Sequence, residues 1–345
     1  MKVRIGFLGS TSEGRLPGHA LPLGLANRAE AVAFPKYDEI NPSHTGETAP
    51  EVQHFQEALR LKQSAVDAVY ISTSNFTHVP LALEALKAGK HLLLEVPGGI
   101  TQTECRLLEK VAARSDQVVM LAHRLRYAPL FQKMHALIEA GEISRPRMVW
   151  AKDFQGESSA EQEGGKAETR RSGGLLVRRS THHFDLLNWW AGARPARVSA
   201  FGGALHSRAS AAEHRLHDHA TVSFDYDNGT LGTLQICYFG RGVSAGELEM
   251  GVIGETGSLV ARTSTMEVLH WKMGAKEARP IAHRIGNPSA EGGSSLAGYN
   301  EMMAAFVDAV LNRTQPLASL GNCLDGTLLA IAADESIQHG HSLEI

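Results

Sequence analysis

The chain has 345 residues, of which 43% are hydrophobic and 21% charged, and its formal net charge is −3. These fractions are typical of globular proteins and exclude disordered, collagen-like and coiled-coil chains, while the length predicts about two domains. The 34 lysines and arginines do not outnumber the 37 acidic residues. No broad basic field is therefore expected, and nucleic acid is not predicted as a partner.

Three cysteines, Cys105, Cys237 and Cys323, lie far apart and form no CxxC pair. This usage fits a reducing compartment better than a disulfide framework. The first residues, MKVRIGFLGS, lack the apolar stretch of a signal peptide, and no run approaches the ~18 apolar residues of a membrane helix. The sequence predicts a soluble, cytoplasmic protein without a membrane partner.

Residues 1–124 alternate short apolar runs with helical patterns. Gly89 is typical of a helix C-cap, and Thr101 with Glu104 has the spacing of a capping box that opens the next helix. The runs are apolar on both faces, as in strands buried in a parallel sheet. The predicted strands are Val3–Leu8, Ala31–Phe34, Val66–Ser72, His91–Val96 and Val118–Ala122. The alternation predicts an α/β domain with a doubly wound parallel sheet.

Residues 125–345 have a different pattern and predict an α+β domain with a large, mainly antiparallel open sheet. Asp227-Asn228-Gly229 is a strong hairpin signal, and the segment Gly156–Gly174 is predicted to be a loop. The predicted strands are Arg147–Phe154, Ala196–Leu205, Asp218–Tyr226, Thr230–Phe239, Glu247–Ile253 and Ser258–Ala261. The predicted helices are Pro129–Ala140, Thr181–Ala191, Tyr299–Leu311 and Leu324–His339.

A glycine-containing turn, Gly6-Phe-Leu-Gly9-Ser-Thr-Ser-Glu-Gly14, follows the first strand. A dinucleotide-binding turn places glycine at the tight turn, at the pyrophosphate and at the helix–strand contact. Here Gly9 and Gly14 occupy the outer positions, and Thr11 takes the middle one. By itself the motif fits a dinucleotide-binding turn and an ordinary tight turn equally well.

The second strand is not followed by the acidic residue that binds the ribose of NAD. Lys36 stands there instead, and Asp38 follows shortly after. Lys36 would suit the 2′-phosphate of NADP, although a surface lysine in a loop is an equally good interpretation.

Three further segments carry a family resemblance: Val69-Tyr-Ile-Ser-Thr-Ser-Asn-Phe-Thr-His78, Gly89-Lys-His-Leu-Leu-Leu-Glu-Val-Pro97 and the stretch from Gly173 to Trp190. With the Arg126–Pro129 corner and the last two helices, they resemble the Gfo/Idh/MocA family over nearly the whole chain. The resemblance implies a Rossmann-type N-terminal domain, a nicotinamide cofactor (NAD or NADP) and a sugar or cyclitol derivative as substrate. It also implies a homodimer or homotetramer that associates through the C-terminal sheet.

The chain departs from the family pattern at three positions. Val96 stands where members typically carry a lysine that assists proton transfer, and Arg178 stands where they tend to carry aspartate. Ser74 replaces a usual proline. Since valine can neither donate nor accept a proton, the active site is predicted to be altered.

His182 keeps the position of the family's general acid/base, and an imidazole titrates in the range where such catalysis works best. The alternative is that it only caps or packs its helix. Asp185, three residues on, would orient the imidazole or satisfy helix amides. Tyr127 is expected to donate a hydrogen bond to the substrate.

The remaining predicted site residues fall into two sets. Those expected at the cofactor are Gly9, Thr11, Ser12, Gly14, Lys36, Ser72, Thr73, Asn75, His78, Glu95 and Val96. Those expected at the substrate are Arg124, Arg126, Arg178, Arg179 and His183. Arginines Arg178 and Arg179, with Arg170 and Arg171 nearby, would form a fork for an anionic group, unless they only make a solvated loop face.

His214, His217 and His219 with Asp218 suggest a metal cluster, but the two-residue period of a strand places His217 and His219 opposite Asp218. No metal site is predicted. The favoured hypothesis is an NAD(P)-dependent oxidoreductase acting on a sugar-like, possibly anionic substrate. The alternative is a non-redox enzyme or a catalytically inactive family member that acts as a binding or partner subunit.

Overall fold

The computed structural model describes most of the chain. The described residues are 2–9, 21–33, 65–155, 172–204, 217–240, 247–274, 279–286 and 298–345. Several predicted site residues lie outside them, namely Thr11, Ser12, Gly14, Lys36, Arg170, Arg171 and His214. The chain divides into two compact units, the first comprising Met1–His123 with Tyr299–Leu324 and the second Arg124–Gly298 with Asp325–Ile345.

The first unit contains a five-stranded sheet in the order β2-β1-β3-β4-β5. All of its pairs are parallel, as predicted. The strands are β1 (Val3–Gly9), β2 (Ala29–Ala33), β3 (Ala68–Ser72), β4 (His91–Leu94) and β5 (Val119–Leu121). The apolar side chains of β1, β3, β4 and β5 are buried on both faces, as expected of parallel strands, whereas β2 at the sheet edge exposes Glu30 and Ala31.

Helices α1 (His78–Lys87) and α2 (Gln102–Ala112) connect the later strands of this unit. Thr101 caps α2, since its hydroxyl accepts from the Glu104 amide at 3.2 Å. In a capping box the Glu104 carboxylate would accept from the amide of the cap residue, Thr101. It accepts instead from the amide of Ile100, one residue earlier, at 2.8 Å.

One helix differs from the prediction in its placement. Helix α6 (Tyr299–Asn312) was assigned with the C-terminal residues, whereas the structure groups it with the first unit, where it contacts β1. Asp308 of this helix forms an ion pair with Arg28, just before β2. An amphipathic pattern shows that a helix has an apolar face, but it does not show which sheet that face covers.

The second unit contains a nine-stranded open sheet in the order β13-β12-β11-β10-β6-β9-β8-β7-β14. Among the described strands every pair is antiparallel except β6 with β9, which confirms the mainly antiparallel sheet. The strands are β6 (Pro146–Phe154), β7 (Pro195–Gly203), β8 (His219–Tyr226), β9 (Leu231–Cys237), β10 (Glu247–Gly254), β11 (Gly257–Arg262), β12 (Glu267–Lys272), β13 (Ile281–Arg284) and β14 (Leu343–Glu344). Strands β12, β13 and β14 were not predicted from the sequence.

The hairpin between β8 and β9 confirms the turn prediction. Gly229 has φ +82°, and the Tyr226 amide bonds the Thr230 carbonyl at 3.0 Å. Along β8, Ala220, Val222 and Phe224 are buried, in the alternation expected of a strand with one core face.

Helices of the second unit pack against its nine-stranded sheet. Helix α5 packs on β6, and α3 contacts β11 and β12. The helices are α3 (Pro129–Glu139), α4 (Leu175–Arg179) and α5 (Thr181–Ala191), and the chain's last helix is α7 (Leu320–His339). Within the described part of the chain, none of the helices combines the length and apolarity needed to cross a membrane.

Candidate functional site

The carboxyl ends of β1, β3 and β4, all in the first unit, form the first of two candidate sites, and each site is described within its own unit. Strand β1 pairs with β2 on one side and with β3 on the other, so the strand order reverses beside β1. Ligands of open α/β sheets bind at such a reversal, beyond the carboxyl ends of the strands. Gly9 and Ser72 lie side by side there in the register of β1 and β3.

Gly9 is required at this position for two reasons. Its φ is +83°, a conformation that other residues rarely adopt. A Cβ at Gly9 would lie 2.1 Å from the Ser72 carbonyl oxygen and 3.0 Å from the Thr73 nitrogen. A dinucleotide-binding site needs a glycine of this kind at the end of the first strand, so Gly9 fits a nucleotide cofactor.

Thr73, Asn75 and His78 follow β3. The hydroxyls of Thr73 and Thr77 are 2.7 Å apart. His78 is 1% exposed, and its Nδ1 and Nε2 lie 2.9 Å from the Pro97 carbonyl and 3.2 Å from the Thr73 carbonyl. Burial lowers the pKa of His78. These contacts make His78 a tie between the segments after β3 and β4.

Glu95 and Val96 follow β4. The Tyr70 hydroxyl donates to the Glu95 carboxylate. Burial, with the nearby Glu95 charge, raises the pKa of Tyr70. The Val96 side chain is half-buried and precedes Pro97 through a cis peptide bond. The position that the family resemblance associates with proton transfer is therefore occupied by an isopropyl group.

The second candidate site lies in the second unit, where α4 and α5 meet. Ser180, which is fully buried, separates the two helices. His182 stands in the first turn of α5 and is partly exposed, whereas His183 and Asp185 in the same turn are buried. The turn presents one imidazole to solvent and buries the other.

Asp185 and Arg126 form a buried bidentate ion pair. Arg126 Nε donates to Oδ2 at 2.8 Å and its terminal nitrogen donates to Oδ1 at 2.9 Å, with the two side chains 3% and 2% exposed. The guanidinium also lies 5.2 Å from the Trp189 ring centroid. These contacts tie α5 to the 124–127 turn. The substrate contact of Arg126 and the orientation of His182 by Asp185 stay predictions.

Arg178 and Arg179 end helix α4, and both are partly exposed. The Arg179 guanidinium lies 5.0 Å from the Tyr238 ring centroid. Burial and then the charge of Arg179 lower the pKa of Arg178 to about 10, so Arg178 is still cationic at neutral pH. Two adjacent guanidinium groups, one partly buried, attract a carboxylate or phosphate.

His183 pairs with Asp153, a residue that the sequence analysis missed. Its Nε2 lies 3.4 Å from Asp153 Oδ2, and Gln155 donates to Oδ1 at 2.5 Å. Burial alone would raise the pKa of Asp153, but the interactions with His183, Gln155 and Arg179 together outweigh it, and the pKa is lowered. A local pattern could have identified Asp153, because this residue continues the inward-facing row of Val149 and Ala151 on β6.

Five further residues of the second unit complete the description of this site. Arg124 and Tyr127 bound a 3₁₀ turn, and both are partly exposed. Asp218 and His219, from the rejected metal cluster, are joined by a 2.9 Å contact between Oδ1 and Nδ1. Asp334 on α7 was not predicted as a site residue; it is a buried carboxyl whose Oδ2 accepts two backbone hydrogen bonds from α4.

Comparisons with known proteins match both parts of the chain. Residues 23–123 match a family model described as "Oxidoreductase family, NAD-binding Rossmann fold", and residues 131–260 match the "GFO/IDH/MocA C-terminal domain" model. Among curated relatives, the Bacillus subtilis putative oxidoreductase YteT is 31% identical over 175 residues, which is 50% of this chain and 39% of that protein. The chain spans 39% to 58% of the length of the first three curated relatives.

Two other relatives align over nearly their full length. The inositol 2-dehydrogenase of Rhizobium meliloti is 23% identical over 98% of this chain and 97% of that protein. A solved structure described as levoglucosan dehydrogenase in complex with NADH and levoglucosan has a TM-score of 0.80, with 19% identity and full coverage of both chains. At this identity the structural likeness establishes the fold.

Proposed function

The chain belongs to the Gfo/Idh/MocA oxidoreductase family, and from that premise we propose that it is an NAD(P)-dependent oxidoreductase of sugar-like substrates that carry a carboxylate. The α4–α5 segment carries this proposal. It sets two guanidinium groups, Arg178 and Arg179, a few residues before the partly exposed imidazole of His182. The segment thus offers an anchor for an anion and a group that exchanges protons near neutral pH.

The first unit supplies the residues for the cofactor. Gly9, Ser72, Thr73 and Asn75 would hold the dinucleotide at the strand-order reversal beside β1, where the Gly9 turn leaves no room for a side chain. When bound, the nicotinamide supplies hydride acceptance from an alcohol or donation to a carbonyl. The levoglucosan dehydrogenase structure holds NADH, whereas Lys36 favours NADP, and we retain both with a preference for NADP.

The second unit supplies the proton-transfer group. His182 takes the proton of the substrate hydroxyl during oxidation and returns it during reduction. Val96 exchanges no proton, so His182 acts without the lysine that the resemblance implies, and this is the altered feature of the site. Tyr127 and Arg124, on the partly exposed turn, hydrogen-bond the substrate's other hydroxyls.

The anionic substrate class follows from Arg178 and Arg179. We expect Arg178→Met to raise KM for a carboxylate substrate about 10- to 100-fold, because a charge-assisted hydrogen bond is lost, and to leave KM for a neutral polyol unchanged. The assay follows nicotinamide absorbance with NAD⁺ and NADP⁺ over D-gluconate, D-glucuronate, myo-inositol and D-glucose. Thermal-shift titration with each cofactor measures binding separately, because a bound cofactor raises the melting temperature.

Arg194→Met is the matched control, since the Arg194 side chain is 66% exposed and pairs with Asp325. An equal rise in KM for D-gluconate and myo-inositol in Arg178→Met would exclude the anion anchor. If neither cofactor raises the melting temperature, the redox proposal fails. The alternative, a non-redox enzyme or an inactive partner subunit, is favoured by Val96 and gains support if a cofactor binds but no member of the panel is oxidised.

We also propose that the outer face of the second unit's sheet pairs with a second copy of the chain. Leu231, Met148, Ile253 and Trp271 lie in one row across neighbouring strands through Ser258. Ile253 and Leu231 are 44% and 56% exposed, and a depression of about 460 Å³ opens between Trp150 and Trp271. An apolar surface of this kind marks an interface.

Ile253→Glu is expected to convert the homodimer or homotetramer to a smaller species, because it places a charge in the centre of the apolar row. Size-exclusion chromatography with light scattering measures the mass. Leu107→Glu, at a 45% exposed leucine on α2, is the control and is expected to leave the mass unchanged. A wild-type monomer, or a mass unaffected by Ile253→Glu, would exclude this interface.

A further inference from the structure

Helix α4 begins without a local cap. Its N-cap position is Gly174, which has no side chain and a φ of +114°. The next residues, Leu176 and Val177, are fully buried, so their amide groups cannot bond water. Buried amides at a helix start need a partner elsewhere, and a helix of five residues is too short to be stable alone.

Asp334 on α7 supplies that partner. Its Oδ2 accepts from the Leu176 amide at 2.9 Å and from the Val177 amide at 3.1 Å, although Leu176 lies 158 residues away in the chain. The carboxyl is 3% exposed. A Cβ at Gly174 would lie 2.5 Å from Oδ2, so this glycine is what lets the carboxyl reach the helix start. We call Gly174, Leu176, Val177 and Asp334 the α4 clamp.

We propose that Asp334 is a positioning residue that, through the α4 clamp, holds Arg178 and the following turn with His182 in the arrangement the reaction needs. The inference rests on the proposed function. Backbone bonds carry the constraint along the chain: Arg178 bonds the Gly174 carbonyl at 3.1 Å, Ser180 bonds Leu176 at 2.8 Å and Phe184 bonds Ser180 at 3.0 Å. Fixing the start of α4 therefore fixes the start of α5.

The charge of Asp334 adds a second link to Arg178. Burial raises the pKa of Asp334 to about 7, while the two amides and the Arg178 guanidinium act against that rise. In the described part of the chain, Arg178 is the charged group that acts on this carboxyl. An asparagine at this position would accept the same two hydrogen bonds, and its burial would not require a charge to be desolvated. The contribution that only the acid makes is therefore its attraction for the Arg178 guanidinium.

Three variants separate these contributions. Asp334→Ala removes the oxygen that accepts both hydrogen bonds. Asp334→Asn keeps an acceptor but removes the charge, and Ser336→Ala is the matched control on the same helix. The buried Ser336 hydroxyl bonds the Ala200 amide at 3.0 Å and the His341 carbonyl at 2.7 Å, away from the clamp.

Hydrogen exchange and NMR test the clamp without any substrate. In Asp334→Ala the Leu176 and Val177 amides are expected to exchange roughly tenfold faster or more, and in Asp334→Asn at nearly the wild-type rate. The ¹⁵N signal of the Arg178 Nε is expected to shift in both variants. Ser336→Ala should change neither reading. Unchanged exchange or an unmoved Arg178 signal in Asp334→Ala would overturn the inference, whatever the protein oxidises.

Kinetics then test whether the clamp serves the reaction. With D-gluconate or D-glucuronate, Asp334→Ala is expected to raise KM about tenfold and Asp334→Asn to recover part of that loss. KM values equal to wild type, with the exchange effect present, would show a merely structural cap and overturn the positioning role. If the exchange and NMR effects appear but wild type oxidises no carboxylate, the proposed function fails and the positioning role fails with it.

Discussion

His182→Gln is expected to lower kcat by roughly 10²–10⁴, the usual contribution of a positioned general acid or base. Glutamine is close to histidine in size and hydrogen-bonds, but it cannot exchange a proton. His182 is partly exposed at the start of α5, so the replacement leaves no buried cavity, and the melting temperature should change little. Steady-state rates with the substrate and cofactor selected from the panel, together with thermal melting, measure both effects.

The matched control is His339→Gln, since His339 is exposed in the last turn of α7 and stacks on His341. Its kcat should equal that of the wild type. A His182→Gln variant that keeps more than about a tenth of the wild-type kcat would mean that another group carries the proton, because loss of a sole carrier costs at least ~10².

Val96 makes the expected loss larger. In a site with both a lysine and a histidine, one group partly replaces the other as proton carrier. The Val96 side chain, two residues after β4, has no ionisable atom, so no replacement comes from that position. The His182→Gln effect should therefore fall toward the upper end of the range given above.

The parallel sheet of the first unit was predictable because its signals are local. Strands β1, β3, β4 and β5 are mostly apolar runs, and the Thr101 cap is a spacing of three residues that the structure confirms. Strands of the second sheet were predictable where apolar and polar residues alternate regularly, as along β8. Strands β12 and β13 were missed: four buried or half-buried positions in a row on Glu267–His270 break the alternation, and β13 is mostly exposed.

The partners of buried charges could not be predicted. Three buried acids lie among apolar residues that predict a buried segment: Asp153, Asp185 and Asp334. Each forms an ion pair or a hydrogen bond with a group that is distant in sequence. Spacing shows which residues share a face of one helix or strand, but not which residue of another element meets that face. A buried acid within an apolar pattern is nevertheless a usable signal, because such a charge is rarely buried unless it is paired.

Asp185→Ala is expected to lower the free energy of unfolding of the second unit by about 3–5 kcal/mol, because it leaves the Arg126 guanidinium buried without its counter-ion. The double variant Arg126→Met with Asp185→Leu should lose much less, since apolar side chains of similar size replace the whole pair. Urea unfolding followed by tryptophan fluorescence measures both, because Trp189 and Trp190 lie on the same helix as Asp185.

An exposed ion pair provides the comparison. Arg197→Met removes a pair with Asp225 in which the arginine side chain is 65% exposed, and such pairs contribute roughly 0–1 kcal/mol. A loss in Asp185→Ala as small as that in Arg197→Met, together with a collapse of kcat, would return Arg126 and Asp185 to the catalytic site. A large loss of stability that the double variant largely restores would instead establish the pair as the tie that holds α5, and His182 with it, on the 124–127 turn.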